Sequence, residues 1–123
     1  MKPRLLLATL AAVLLSACTD VLPPDGGNGD FSVTVGSGTQ PSYSWQGGDA
    51  FRVEVMRVEN PLIPVWAVAN PTTRDIRSPV RHGTVPSGAI LLADEEATLE
   101  AGQRYRVRVT LADNRQGSSD FRP

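Results

Sequence analysis

Few side chains in this chain of 123 residues could carry chemistry, because it holds one cysteine, Cys18, and one histidine, His82. A single thiol leaves no disulfide to be formed within the chain, and a single histidine cannot build a multi-histidine metal site. Gly36-Ser37-Gly38 lacks the five-residue pattern of a nucleophile elbow. Asp94-Glu95-Glu96 gathers carboxylates of the kind used in general acid-base work, but no cleft signature accompanies it and it reads as a solvated loop. Asp25, Asn28 and Asp30 miss the ligand order of a calcium loop, with no bidentate Glu at the required distance. The expectation is a protein that is not an enzyme and has no catalytic residue, metal or cofactor.

The remaining chemistry lies in arginines. Arg104, Arg106 and Arg108 alternate with Tyr105, Val107 and Val109, while Arg52 and Glu54 alternate with Phe51, Val53 and Val55. Period-two spacing places each charged set on one face of a strand. On neighbouring strands the five form a charged ladder with an excess of plus three, the first candidate binding face. Planar guanidinium forks suit an anionic partner such as lipopolysaccharide phosphate or an acidic polymer. Cross-strand Glu and Arg pairing is the plainer reading of the same residues. A second candidate is the long connection from Thr72 to Ala93, with Arg77, Arg81 and a surface His82, punctuated by Pro79, Gly83, Pro86 and Gly88. Ile76, Val80 and Val85 are expected to tack it onto the domain. Connections of this length are uncommon in compact domains and are often functional.

The elements that position these groups begin with a leader. Lys2 and Arg4 precede an apolar run from Leu5 to Leu15, followed by the small residues Ser16 and Ala17. As a helix the run would rise about 16 Å, half of a ~30 Å hydrocarbon core, so it reads as a signal sequence and not as a membrane span. Leu15-Ser16-Ala17-Cys18 resembles the lipobox of bacterial lipoproteins. That resemblance implies a signal peptide over 1–17, removal of the leader before Cys18, and acylation of the Cys18 sulfur and amine, so that membrane lipid is the first partner. Two or more acyl chains anchor stably. An acylated Cys18 is also lost to any Cys-His dyad. Thr19, and not Asp, follows the cysteine, which by the same resemblance implies the outer membrane.

Without residues 1–17, ten arginines and no lysine stand against 13 acidic residues, a net charge of minus three. A mildly acidic chain lacks the clustered basic excess that general nucleic-acid binding needs. Residues 18–30 contain Pro23-Pro24-Asp25-Gly26-Gly27-Asn28-Gly29-Asp30 and form a flexible linker.

Residues 31–123 form one domain. Phe31, Val33 and Val35 alternate with polar neighbours, as do Tyr43 and Trp45, and Phe51 to Val55; Val65-Trp66-Ala67-Val68 and Ile90-Leu91-Leu92 are shorter apolar runs that fit edge or intermediate strands. Turns are expected at Gln46-Gly47-Gly48-Asp49 and at Asp113-Asn114-Arg115-Gln116-Gly117. Short strands at this spacing, without crossover helices, predict an all-β antiparallel immunoglobulin-like sandwich. Leu99-Glu100-Ala101-Gly102-Gln103-Arg104-Tyr105 resembles the stretch that leads into strand F of fibronectin type III domains, although Ala101 replaces the usual Pro. The resemblance implies that Tyr105 forms a tyrosine corner, its hydroxyl bonded back to the backbone. Trp45 is expected in the core, and Trp66 either in the core or exposed to a ligand.

The sequence therefore predicts a lipid-anchored envelope protein whose sandwich is a binding or adhesion module, with a protein or an anionic envelope polymer as partner. A structural or accessory subunit of an envelope assembly is the alternative. An exposed contiguous apolar patch or an open, flat edge strand would point to the assembly subunit, and an aromatic, Arg-lined groove to ligand binding.

Overall fold

Alternation of apolar and polar residues decides which side of each strand is buried, and the two apolar sides close on each other. The computed structural model describes residues 28–123. Leu15, Ser16, Ala17, Cys18 and the linker up to residue 27 lie outside the described residues. Nine strands run in chain order: β1 (Asn28–Gly29), β2 (Thr34–Val35), β3 (Ser42–Ser44), β4 (Ala50–Arg57), β5 (Asn60–Ala69), β6 (Val80–Arg81), β7 (Ile90–Asp94), β8 (Tyr105–Leu111) and β9 (Gln116–Phe121). They form a six-stranded sheet in the order β1-β9-β8-β4-β5-β7 and a three-stranded sheet in the order β2-β3-β6, antiparallel throughout. The described residues contain no helix. The fold is a β-sandwich, as the strand spacing predicts.

The core lies between the sheets. Val53 and Val55 of β4, Trp66 and Val68 of β5, and Tyr105, Val107 and Val109 of β8 meet Val33, Tyr43, Ile76 and Val80 from the smaller sheet and its connections. Burying a side chain of this size contributes roughly 1.5–3 kcal/mol, so this layer dominates the stability. Trp45 is in the core, and its indole Nε1 donates to the Gly48 carbonyl at 2.9 Å, which fixes the turn into β4. Gly47 and Gly48 take positive φ there, a conformation that glycine adopts without steric cost. Trp66 is also buried, which removes it as an exposed ligand platform.

Two boundaries differ from the sequence reading. Asn28 and Gly29, expected in the linker, pair with Ser118 and Gly117 of β9. Gln116 and Gly117, expected in a turn, begin β9. Few apolar side chains mark β9, whose Gln116-Gly117-Ser118-Ser119-Asp120-Phe121 sequence carries a strand only because β8 supplies a full ladder beside it.

The long connection is ordered by backbone pairing. Ile76 exchanges hydrogen bonds with Ala50 at 2.7 and 2.9 Å, and Val80 and Arg81 pair with Tyr43 and Ser42. Ile76 and Val80 are buried as expected. Val85 is exposed and tacks nothing down, because it falls in the loop between the two sheets, after β6 has ended.

Candidate functional site

The expected charged ladder is assembled on the outer face of the six-stranded sheet. Register places Glu54 opposite Arg108, Arg52 opposite Thr110 and Arg106 opposite Asp120. Asp120 is the member that the sequence pattern missed, since β9 was hidden within a turn motif. Its Oδ1 and Oδ2 accept from Arg106 Nε at 2.6 Å and Nη2 at 3.2 Å, and Oδ2 lies 3.6 Å from Arg104 Nη2. Glu54 lies between Arg108, at 3.4 Å, and Arg52, at 3.9 Å. Each carboxylate thus bridges two guanidiniums, and with Asp120 counted the excess is plus two, not plus three.

Depth sorts the two signs. The Glu54 and Asp120 side chains are 12% and 18% exposed, whereas those of Arg52, Arg104, Arg106 and Arg108 range from 32% to 50%. Carboxylates lie beneath and guanidiniums on top. The Asp120 hydrogen bond raises the pKa of Arg106, against a smaller lowering by burial, and holds its charge in place. Beside Arg106 and Arg108, the gap towards β1 is a shallow depression of about 250 Å³ that reaches Gly29, Gln116 and Ser118.

The second candidate separates. Arg77 and Arg81 are exposed, but His82 is fully buried and cannot join them at a surface. Its ring packs 4.6 Å from that of Trp66, its Nδ1 is 2.8 Å from the Tyr43 hydroxyl and its Nε2 is 2.7 Å from the Glu96 carbonyl oxygen. His82 follows buried Val80 by two positions and its backbone N–H still donates to the Pro41 carbonyl at 2.9 Å, so strand alternation carries its side chain inward while Arg81 points out.

Glu96 is likewise not simply part of a solvated loop. Its carboxylate accepts from the Tyr105 hydroxyl at 2.7 Å and from Arg57 Nε at 2.8 Å. The Tyr105 hydroxyl in turn accepts from the Glu100 backbone N–H at 2.9 Å, the bond back to the main chain that the tyrosine-corner likeness implies. This polar cluster is structural in its connections: every group in it bonds another group of the fold. Among the described residues no group of three or more potential ligands is placed to hold a metal ion, and no helix is long and apolar enough to cross a membrane.

A further feature appears at the sheet edge. Among the described residues β7 ends the larger sheet, paired only with β5, and its Ile90, Leu91 and Leu92 are 50%, 42% and 47% exposed. The sequence left this run as an edge or an intermediate strand, because an apolar triplet gives no indication of which strand lacks a neighbour; the structure places it at the edge. No family model matches the chain, and neither does any curated protein or solved structure.

Proposed function

We propose that this chain is a lipid-anchored bacterial envelope protein, held at the outer membrane through Cys18, whose fibronectin type III-like sandwich is a protein-binding module and accessory subunit of an envelope assembly. The observation that carries the reading is β7. Edge strands of soluble domains are normally shielded by charge, proline or brevity, and here three consecutive apolar residues with exposed side chains occupy the edge. Such an edge suits strand addition, in which main-chain hydrogen bonds supply affinity and alternate side chains supply specificity. The partner is a protein that contributes an extended, apolar segment. Five residues form a small contact, below the ~1,200 Å² of a stable stand-alone interface, which fits a partner also held at the same membrane.

Burial of Trp66, Tyr43 and Tyr105 supports the same choice, since these three rings are taken up by packing in the core. The hydroxyl bond of Tyr105 supports the fibronectin type III likeness. Photo-crosslinking from position 91 in intact cells tests the proposal. A discrete protein adduct is expected, and it should vanish when Leu92→Lys places a charge on the edge. Adducts from position 108 but none from position 91 would refute it.

A further inference from the structure

The arginine face and the point where the chain enters the domain belong to one cross-strand row. Asn28 registers with Ser118, Ser118 with Arg108, Arg108 with Glu54, and Glu54 with Ala67. Two strand spacings of ~4.8 Å separate Asn28 from Arg108, on the order of 10 Å. Nine residues, 19–27, lie between Cys18 and Asn28, and the ten steps they make reach about 35 Å at most. An anchor at Cys18 therefore holds the β1 margin of the larger sheet close enough to the bilayer for its outer face to reach the headgroups. That face presents four guanidiniums over two deeper carboxylates. Asp30, the acidic residue at its β1 margin, accepts from the Gln116 backbone N–H at 3.1 Å.

We infer that this face docks on anionic phospholipid headgroups of the bilayer that carries the anchor, with Arg104, Arg106, Arg108 and Arg52 contacting headgroup phosphates. The inference rests on the lipid-anchor reading of Cys18. Four considerations favour headgroups as the occupant. The excess charge is outward, the tether ends in the same row, the depression beside Arg106 and Arg108 is shallow and open, and a basic residue at an anionic surface gains about 1 kcal/mol, an attraction that two excess charges double. Docking in this orientation leaves β7 free, because β1 and β7 are opposite ends of the same sheet.

Arg52 and Arg104 are the more distant partners of Glu54 and Asp120, at 3.9 and 3.6 Å, so replacing them removes the excess while Arg108 and Arg106 still pair with the two acids. The test uses the full chain isolated from membranes and mixed with phosphatidylcholine vesicles, alone or containing phosphatidylglycerol. Phenylglyoxal modification is followed by peptide mass at Arg106 and Arg108, with Arg81 of the opposite sheet as the internal control. Both rates are expected to fall in the phosphatidylglycerol vesicles, to recover with added salt, and to leave Arg81 unchanged. In the R52Q/R104Q chain the docked-to-free ratio should drop about thirtyfold, the equivalent of two basic residues. Equal rates in the two vesicle types would overturn the proposal, and so would equal protection by inorganic phosphate with phosphatidylcholine alone. Salt-insensitive protection in the unaltered chain would do the same, whether or not the double variant folds. The mass of the Cys18 peptide reports the anchor separately: a Cys18 without lipid refutes the anchor, while the two guanidinium rates still decide the docking.

Discussion

The Tyr43 hydroxyl and His82 Nδ1 are 2.8 Å apart in the buried core, and the other ring nitrogen, Nε2, faces the carbonyl oxygen of Glu96 at 2.7 Å. A carbonyl only accepts, so Nε2 carries the proton and Nδ1 accepts from the tyrosine. The fold therefore selects one neutral tautomer of its single histidine. Burial lowers the His82 pKa from 6.5, outweighing the Glu96 carbonyl bond and the charges of Glu96 and Asp94, which raise it. Burial also pushes the Tyr43 pKa up, so its hydroxyl remains protonated.

Stability should fall on acidification, starting near the unfolded histidine value. Below about pH 6.5 the unfolded chain binds a proton at His82 that the folded chain resists, so stability is full above that pH and declines beneath it. Glu96 adds a second stage. Burial acts to raise its pKa, but hydrogen bonds from Arg57 and Tyr105 hold it below 4.5, so its contribution is present above that value and lost as the pH falls through the folded one. Urea unfolding midpoints across the acid range test this. His82→Gln should flatten the upper stage and leave the lower; an unchanged upper slope would contradict the assignment.

Tyr105→Phe should cost about 1.5–3 kcal/mol, the range for a hydrogen bond to a charged group. Its hydroxyl joins the Glu100 N–H to the Glu96 carboxylate, and phenylalanine leaves the first without an acceptor. A double-mutant cycle with Glu96→Gln, measured by urea unfolding, should show coupling; additive losses would mean that the two residues act independently.

Gly117→Ala should detach the first strand. A Cβ at this position would lie 2.3 Å from the Phe31 carbonyl oxygen and 2.6 Å from its ring, so the segment from Asn28 to Phe31 must move. Overpacking of this kind costs roughly 1–3 kcal/mol. Hydrogen exchange should accelerate at the Asp30 amide, which bonds the Gln116 carbonyl at 2.7 Å, while β4 and β8 amides keep their protection.

Leu92→Lys should change the unfolding free energy by no more than about 0.5 kcal/mol, as expected for an exposed position. A larger loss would mean that the β7 side chains serve the domain's own packing. Thermal unfolding of the variant beside the unaltered protein distinguishes the two.

Period-two alternation made β4 and β8 legible in the sequence, and with them the adjacency of Arg52 and Glu54 to Arg106 and Arg108. The pattern succeeded where a strand is buried on one face and charged on the other. It failed at β9, where glycine and serine replace the apolar partners, and Asp120 was lost with it. His82 was misread for a related reason: burial of one polar side chain after a two-residue strand depends on Tyr43, Trp66 and Glu96 converging from distant positions. Spacing from Val80 places His82 on the inward face, but the partners that satisfy it there are not local. Tyr105 was legible because the turn before it is local.

The two margins of the larger sheet differ in kind. On one side the chain's own Asn28–Gly29 covers β9 with a strand of two residues, too short to template another chain; on the other, β7 offers five. Among the described residues the edges of the smaller sheet, β2 and β6, are also strands of two residues, so β7 is the longest edge strand to which another strand could add.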